Sequence, residues 1–279
     1  MFYYDRLSPE SITGPQLDGW LALGGYRMHQ DMFTTSHVDL GEIYRVYWLR
    51  FDVRTLRDHR SHRRLRHRNG SFTSRIEPFS GIGVDHHLLH QKYRDSIDFD
   101  GAPTIAECLF GDDPDKINNF QTHCLSVYDR ETLIAGGYFD TGHTSAASIL
   151  HYYDPDYRRH SLGKHLILLT IDYLKAMGYR WYYPGYVVQG CPKMNYKLFL
   201  GQEHAHYFDP RARQWKPLHS TLLIGQPHSL ESLIAEHVAR RDQTDPTPPP
   251  TLQPKATDAT DDPDFRPPDD QSSEGSIPS

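Results

Sequence analysis

Apolar and aromatic positions between residues 146 and 197 predict a strand, a helix and a second strand. Residues 148–153 are aromatic and β-prone, and Ser161 is a plausible N-cap for the apolar helix that follows it. The apolar positions of this helix are Leu162, Leu166, Leu169, Ile171 and Leu174. Gly178 ends the helix, and residues 179–183 resume as a strand. Such a unit usually pairs its two strands in parallel.

The carboxyl end of the first strand is the expected ligand site of this unit, because ligands bind there in open sheets with parallel strands. One acidic and three basic residues follow that end: Asp154, Arg158, Arg159 and Lys164. They stand beside the predicted helix N-terminus, where the backbone N–H groups also attract negative charge. The pattern therefore favours an anionic ligand at this point.

The rest of the chain adds further elements around this unit. Residues 43–53 are dominated by β-branched and aromatic side chains, and residues 122–153 read as three short strands separated by polar turns. A short helix is expected near residues 17–23, and an amphipathic helix at 228–241. The pattern alone indicates an α/β (α+β) fold with a mixed sheet and flanking helices.

Charge is distributed unevenly along the chain, whose net charge is −6. Residues 242–279 contain nine acidic and two basic residues, so residues 1–241 carry about +1. That acidic, proline-rich tail has almost no large apolar residues, and its composition predicts disorder. Residues 54–69 contain seven arginines and three histidines but one aspartate. Because arginine suits bidentate contact with phosphates, this basic segment indicates a nucleic-acid-facing surface or a clamp for an acidic terminus.

Composition also narrows the class of protein. No stretch approaches the roughly 18 consecutive apolar residues of a membrane helix, and the N-terminus lacks a basic region followed by an apolar run. The three cysteines, Cys108, Cys124 and Cys191, are widely spaced and odd in number. This usage fits a reducing compartment, so we expect a cytoplasmic protein with no membrane partner.

No metal site is predicted from the sequence. One stretch combines histidines with carboxylates at His29, Asp31, His37, Asp39 and Glu42, and another places His86, His87 and His90 within one helical turn. Neither spacing matches a tight zinc template. The chain also lacks a serine nucleophile elbow.

A family resemblance appears in residues 182–197, YYPGYVVQGCPKMNYK. This string resembles the signature of the arginyl-tRNA–protein transferases and their bacterial leucyl-transferring relatives. Two other elements resemble the same family in the same order: Tyr153-Asp154-Pro155 with Ser161-Leu162-Gly163, and the basic positions Ser61, Arg63, Arg64, Leu65, Arg68 and Asn69. The family's N-terminal cysteine cluster has no counterpart, since no cysteine precedes Cys108.

The resemblance implies an N-acetyltransferase-like fold and an aminoacyltransferase of the N-end rule type. Such an enzyme adds arginine or leucine from aminoacyl-tRNA to proteins with acidic N-termini, with aminoacyl-tRNA as co-substrate and no cofactor. The implied divisions are an N-terminal α/β region with the basic segment (1–80), a transferase domain (81–241) and a disordered tail (242–279).

The resemblance and the residue chemistry together select the candidate site residues. An amine must be deprotonated and an oxyanion stabilised, so the predicted catalytic residues are Asp154, Tyr186, Lys193 and Tyr196. The predicted tRNA- or substrate-binding residues are Arg63, Arg64, Arg68, Tyr153, Arg158, Arg159, Lys164, Tyr183 and Lys197.

Two alternatives stay open at this point. The chain could be an acyl-CoA-dependent N-acyltransferase of the same fold, or a non-catalytic tRNA-binding homologue. A CoA enzyme would prefer a glycine-richer turn before the helix, where only Gly163 is present. This favours tRNA over CoA.

Overall fold

A computed structural model describes residues 4–97, 101–113, 117–229, 231–233 and 235. Its helices are α1 (Gly14–Ala22), α2 (Arg60–Arg68), α3 (Val84–Arg94), α4 (Ile105–Phe110) and α5 (Leu162–Ala176). Its strands are β1 (Tyr4–Leu7), β2 (Tyr26–Met28), β3 (Asp31–Thr35), β4 (His37–Asp39), β5 (Ile43–Asp52), β6 (Thr73–Pro78), β7 (Thr122–Asp129), β8 (Thr132–Thr141), β9 (Ser145–Tyr153), β10 (Trp181–Val188), β11 (Ala205–Asp209) and β12 (Gln214–Pro217). Short 3₁₀ segments span Pro155–His160, Pro192–Leu200, Gln202–His204 and Ser220–Leu223.

Most strands form one mixed sheet in the order β12-β11-β5-β10-β9-β8-β7-β6, with β4 paired to β5. The predicted α+β fold with a mixed sheet and flanking helices is confirmed. The region predicted for residues 1–80 contributes β5 and β6 to this sheet. Only β1, β2 and β3 form a separate small sheet in the described chain. The predicted tail at 242–279 and most of the predicted helix at 228–241 lie outside the described residues.

The predicted strand–helix–strand unit is present in the structure as β9–α5–β10. β9 and β10 are parallel neighbours, and α5 crosses between them. Its apolar side chains Leu162, Leu166, Ile171 and Leu174 are buried in the main core, where each contributes about 1.5–3 kcal/mol. Ser161 holds the predicted N-cap position, but its φ is +53° and its side chain makes no capping hydrogen bond.

Both faces of the sheet are covered. Helices α2 and α5 pack on one face around Leu49, Phe51 and Phe139. The other face carries two smaller cores. One of these cores contains Trp20 of α1 and Trp48 of β5. In the other, α3 and α4 pack against aromatic residues of β8 and β9. Because both faces are covered, ligand access is restricted to the edges and ends of the strands.

A buried ion pair joins the small sheet to the main sheet. Arg27 of β2 places its Nη1 2.9 Å from Asp140 Oδ1 of β8, and the two side chains are 3% and 0% exposed. The same guanidinium donates to Thr122 Oγ1 and to the Leu109 carbonyl, each at 3.0 Å. Burial raises the pKa of Asp140, although the neighbouring Arg27 opposes this shift. The pair therefore fixes the N-terminal elements against β7 and β8.

In the part of the chain that the structure describes, no helix is long and apolar enough to cross a bilayer.

Candidate active site

Strands β9 and β10 diverge, and the opening between them forms a cleft. Their parallel pairing in the described chain runs from Trp181 opposite Ser145 to Tyr183 opposite Ala147. Beyond that point β9 follows β8 and β10 follows β5. Pro184 has no backbone N–H to continue the ladder. We call the opening between residues 148–153 and 184–188 the strand cleft.

The 3₁₀ segment Pro192–Leu200 brings Lys197 to the strand cleft. Lys197 Nζ donates to the carbonyl of Tyr186 at 2.8 Å, on the diverged part of β10. Gly185 makes this approach possible, since a Cβ atom there would lie 3.3 Å from Lys197 Nζ. Its φ of +92° also favours glycine over other residues.

Lys197 has an unusual protonation equilibrium. Burial lowers its pKa from 10.5 to about 8, because the charged ammonium loses hydration in the cleft. An amine with a pKa near 8 is present in both charged and neutral forms near physiological pH, so it can accept and return a proton. Sequence reasoning placed Lys197 among the binding residues; its position also suits acid–base chemistry.

Sequence reasoning missed His151, which lies on the diverged part of β9. Burial and the positive charge of Lys197 lower the pKa of His151 to about 4, so its imidazole is neutral at pH 7. The ring lies over Gly137 of β8, where an added Cβ atom would come within 2.5 Å of His151 Cδ2. Two consecutive glycines inside a strand, Gly136 and Gly137, were the sequence signal for such a close approach.

Tyrosines line the same region. The Tyr153 ring of β9 contacts the Tyr93 ring of α3, with 5.1 Å between centroids. Tyr186 packs edge-on against Trp48, and Lys197 Nζ lies 5.4 Å from its ring centroid and 5.7 Å from that of Tyr196. Burial around its hydroxyl raises the pKa of Tyr196 to about 12, and burial also raises the pKa of Tyr186. Both phenols therefore stay protonated and can donate hydrogen bonds.

The predicted basic segment forms helix α2, which has two different faces. Leu65 and His62 face inward, and His62 Nε2 lies 2.7 Å from the carbonyl of Phe199. Arg66 forms ion pairs with Asp172 of α5 at 2.6 Å and with Asp58 at 2.9 Å. The exposed basic and imidazole side chains are those of Arg60, Arg63, Arg64, His67 and Arg68. One face of α2 thus binds the helix to the core, and the other presents cations to solvent.

The structure joins this helix to the cations that follow β9. Arg68 Nη1 donates to the Arg159 carbonyl at 3.0 Å, and Asn69 Nδ2 donates to the His160 carbonyl at 3.1 Å. Lys164 Nζ lies 5.6 Å from the ring centroid of Phe199, two residues beyond Lys197. We call the exposed set Arg63, Arg64, Arg68, Arg158, Arg159 and Lys164 the basic surface. It continues from α2 to the segment that carries Lys197.

Three predicted site residues lie in surroundings that differ from those of Lys197. Tyr183 is 1% exposed and packs in the core against Tyr26 and Trp215, so it has a packing role in place of the predicted binding role. Asp154 accepts a hydrogen bond from the Asp156 N–H at 3.0 Å and pairs with Lys92 Nζ at 2.7 Å. These contacts hold the carboxylate in the turn after β9, and its catalytic role stays a prediction.

Lys193 is the third of these residues. It lies exposed at the start of the 3₁₀ segment, whereas Lys197, one turn later, is half-buried at the cleft. The segment is a 3₁₀ helix, in which residues three apart share a face. Lys193 and Lys197, which are four residues apart, therefore do not share a face.

A second cavity lies away from the strand cleft. Its volume is about 530 Å³, and its lining includes Glu77, His86 and Ser126. His86 Nδ1 lies 2.6 Å from the Tyr152 hydroxyl, and its Nε2 lies 2.9 Å from Ser126 Oγ. Tyr152 is fully buried in the core under α3, so this network belongs to the packing of α3 on the sheet.

Comparison with known proteins agrees with this architecture. Residues 65–205 match the family described as "Arginine-tRNA-protein transferase, C terminus". The aspartate/glutamate leucyltransferase of Ruegeria pomeroyi is 28% identical over 235 residues, which is 80% of this chain and 81% of that protein. Arginyl-tRNA–protein transferase 1 of Saccharomyces cerevisiae is 26% identical over 184 residues, 56% of this chain and 36% of that protein.

Among solved structures, L-PGS from Bacillus licheniformis matches with a TM-score of 0.37 and 14% identity, over 52% of this chain and 47% of that one. The family match extends from Leu65 to Ala205, so it includes the last four residues of α2, the strand cleft and the Lys197 segment. The chain therefore belongs to the arginine-tRNA–protein transferase family, a family of aminoacyltransferase enzymes.

Proposed function

We propose that this enzyme transfers an aminoacyl group, arginine or leucine, from tRNA to the α-amine of proteins that begin with an acidic residue. The position of Lys197 carries the proposal: its amine lies in the strand cleft with a pKa of about 8, beside the basic surface. The names of the relatives, an aspartate/glutamate leucyltransferase and an arginyl-tRNA–protein transferase, support the same reaction class.

The reaction needs no covalent enzyme intermediate, because an aminoacyl ester is already activated. The α-amine nitrogen attacks the ester carbonyl carbon and forms a tetrahedral intermediate. The bond from that carbon to the ribose oxygen then breaks, and an amide remains. One proton leaves the attacking amine, and one reaches the departing ribose oxygen. The site must therefore position two large reactants and move one proton between them.

Lys197 is suited to carry that proton. Its pKa of about 8 lies near physiological pH, so both of its protonation states are available there. A pKa near the operating pH is the condition for efficient general acid–base catalysis. The neutral Lys197 amine accepts the proton from the attacking nitrogen, and the resulting ammonium donates it to the ribose oxygen.

Groups close to Lys197 can stabilise the negative charge that develops on the ester oxygen. The phenols of Tyr186 and Tyr196 remain protonated at neutral pH and lie beside Lys197. Either hydroxyl can donate a hydrogen bond to the oxyanion. The neutral imidazole of His151 adds a hydrogen-bonding group on the opposite wall of the cleft without adding a second cation.

The basic surface accounts for the tRNA. Arg63, Arg64 and Arg68 project from α2, and the Arg68 contact with the Arg159 carbonyl makes their surface continuous with the end of β9. Phosphates bound along it direct the aminoacylated 3′ end toward the strand cleft. The exposed Arg158 and Arg159 lie in the 3₁₀ segment Pro155–His160 that follows β9, so they are also the candidates for contact with the acidic first residue of the protein substrate.

An assay with labelled aminoacyl-tRNA tests the proposal. The full chain is incubated with Arg-tRNA or Leu-tRNA and with peptides that begin with Asp, Glu or Ala. We expect label on the Asp and Glu peptides and little on the Ala peptide. Equal labelling of all three peptides would disprove the acidic specificity alone. Transfer from acetyl-CoA, or tRNA binding without any transfer, would replace the proposed function by one of the alternatives.

The salt dependence of tRNA binding tests the basic surface separately. Removing one phosphate contact lowers the slope of log affinity against log salt concentration by about 0.7–0.9. We expect Arg64→Gln and Arg158→Gln each to lower the slope by about that amount, and the double variant by twice as much. Arg211→Gln, in the exposed turn between β11 and β12, is the matched control. Slopes equal to the wild-type slope in both variants would remove these arginines from the tRNA site.

A further inference from the structure

Two histidines and one glutamate converge where the basic helix meets the Lys197 segment. His59 directly precedes α2, and Glu203 and His204 belong to the 3₁₀ segment Gln202–His204. One donor atom from each side chain lies within 4.8 Å of the other two. His59 Nε2 is 3.4 Å from Glu203 Oε1, and His204 Nε2 is 3.8 Å from the same oxygen. The three residues are distant in sequence, so only the fold brings them together.

These distances are close to those in a tetrahedral metal site. Metal–ligand bonds of about 2.0–2.1 Å to imidazole nitrogen and carboxylate oxygen put the donor atoms about 3.3–3.4 Å apart. Two of the donor separations are 3.4 and 3.8 Å and the third is no more than 4.8 Å, so side-chain shifts on the order of 1 Å would bring all three to a tetrahedral arrangement. Two imidazoles and one carboxylate are also a common ligand set for zinc, with water in the fourth position.

Gly201 allows the donor side chains to approach the backbone that joins the two 3₁₀ segments. A Cβ atom added at Gly201 would lie 3.0 Å from His59 Nε2 and 3.1 Å from Glu203 Oε1, so a larger residue there would push these two side chains away. Within the described part of the chain, the buried His59 Nε2 makes no hydrogen bond. An unsatisfied buried nitrogen is costly, and a metal ion would satisfy it.

We propose that His59, Glu203 and His204 form a binding site for a divalent transition metal of the zinc class. The bound ion would tie His59, the residue before α2, to the segment Gln202–His204, which follows the Lys197 segment after Gly201. His62, one turn into α2, already contacts the Phe199 carbonyl at 2.7 Å, and the ion adds a second connection between the same elements. The site holds the basic surface and Lys197 in a fixed relation, and it is independent of the protons that Lys197 transfers.

Metal titration of the full chain tests this site without reference to transfer activity. The protein is stripped with a chelator and titrated with Zn²⁺ by calorimetry, and with Co²⁺ by visible absorption, which distinguishes four-coordinate from six-coordinate ions. We expect one tight site per chain, a four-coordinate Co²⁺ spectrum, and a thermal midpoint that rises with Zn²⁺ concentration. His59→Ala and His204→Ala should each weaken this site on the order of 100-fold, since each removes one of three protein ligands.

The controls separate this site from ordinary surface histidines. His219→Ala removes an exposed histidine outside the cluster and should leave the tight site intact. Circular dichroism of each stripped variant shows whether it has folded. Glu203→Gln, which keeps the size of the side chain, covers the case in which a histidine variant does not fold. Wild-type protein without a tight site, or equal Zn²⁺ affinity in wild type and all three cluster variants, would overturn the proposal and leave a histidine–glutamate ion pair.

Discussion

Replacing Lys197 with methionine is expected to lower the rate of aminoacyl transfer by about 100-fold or more, because general acid–base catalysis contributes roughly 10²–10⁴-fold. Methionine fills a similar volume beside Tyr186 and Tyr196 but cannot accept a proton. Single-turnover transfer from Arg-tRNA or Leu-tRNA to an acidic peptide measures the loss. Lys216→Met is the matched control, since Lys216 is a surface lysine paired with Asp209 on the far hairpin; we expect its rate within about twofold of wild type.

The pH dependence of this reaction distinguishes proton transfer from simple charge. If transfer requires both a neutral α-amine and a neutral Lys197, the logarithm of the rate should rise with a slope near 2 per pH unit below about pH 7. Both groups titrate near pH 8, so both are mostly protonated there. Lys197→Met should show a slope near 1, from the peptide amine alone. Equal slopes in the two proteins would show that Lys197 does not titrate in the reaction.

Lys197→Arg tests whether the positive charge of Lys197 is enough for activity. Arginine keeps the positive charge but does not lose its proton in this pH range. If Lys197 acted only as a cation for phosphate or carboxylate, this variant would keep most of the activity. We expect it to be as impaired as Lys197→Met.

Lys197→Met should also stabilise the fold. The pKa of Lys197 is lowered from 10.5 to about 8, so the folded state disfavours the ammonium relative to the unfolded chain. This destabilisation is fully present below pH 8 and disappears as the pH rises from about 8 to 10.5. We expect Lys197→Met to be more stable than wild type by roughly 1–3 kcal/mol at pH 7, and by less at pH 10. Urea unfolding at the two pH values measures this difference.

Arg27→Met is expected to lower the free energy of unfolding by about 3–5 kcal/mol, the range for a buried ion pair that loses one partner. The variant leaves Asp140 with 0% exposed side-chain surface and without its guanidinium. The Leu109 carbonyl also loses one of its two donors and keeps Gln30 Nε2. Urea unfolding at pH 7 measures the loss, and Arg54→Met, which removes a half-exposed partner of Asp52, should cost less than about 1 kcal/mol.

The stability loss in Arg27→Met should depend on pH because of Asp140. Burial already raises its pKa, and removing Arg27 takes away an opposing influence and raises it further. A carboxyl group with a raised folded pKa destabilises the fold above that pKa and ceases to do so as the pH falls through it. The stability gap between Arg27→Met and wild type should therefore narrow from pH 7 to pH 5. A double variant with Asp140→Leu should also recover part of the loss, and a constant gap with no recovery would contradict the buried-charge explanation.

The sequence by itself determined most of the elements of the fold. Leucines at helical spacing defined α5, because one face of a helix must be buried. Aromatic, β-branched runs defined β5, β7, β8 and β9 for the corresponding reason in strands. These are local properties, and the parallel pairing of β9 with β10 follows from the crossover helix that joins them. The arginines of α2 were also recognisable, since unopposed like charges have to lie at the surface.

Only the tertiary structure decided which of these residues meet. It separated Lys197 from Lys193, because the segment winds as a 3₁₀ helix and not with α-helical spacing. It buried Tyr183, engaged Asp154 with Lys92, and brought His151 and Tyr93 to the cleft from elements far away in sequence. It also gathered His59 with Glu203 and His204. Contacts of this kind depend on where strands diverge and how segments cross the sheet, and the local pattern of polar and apolar residues carries no information on either.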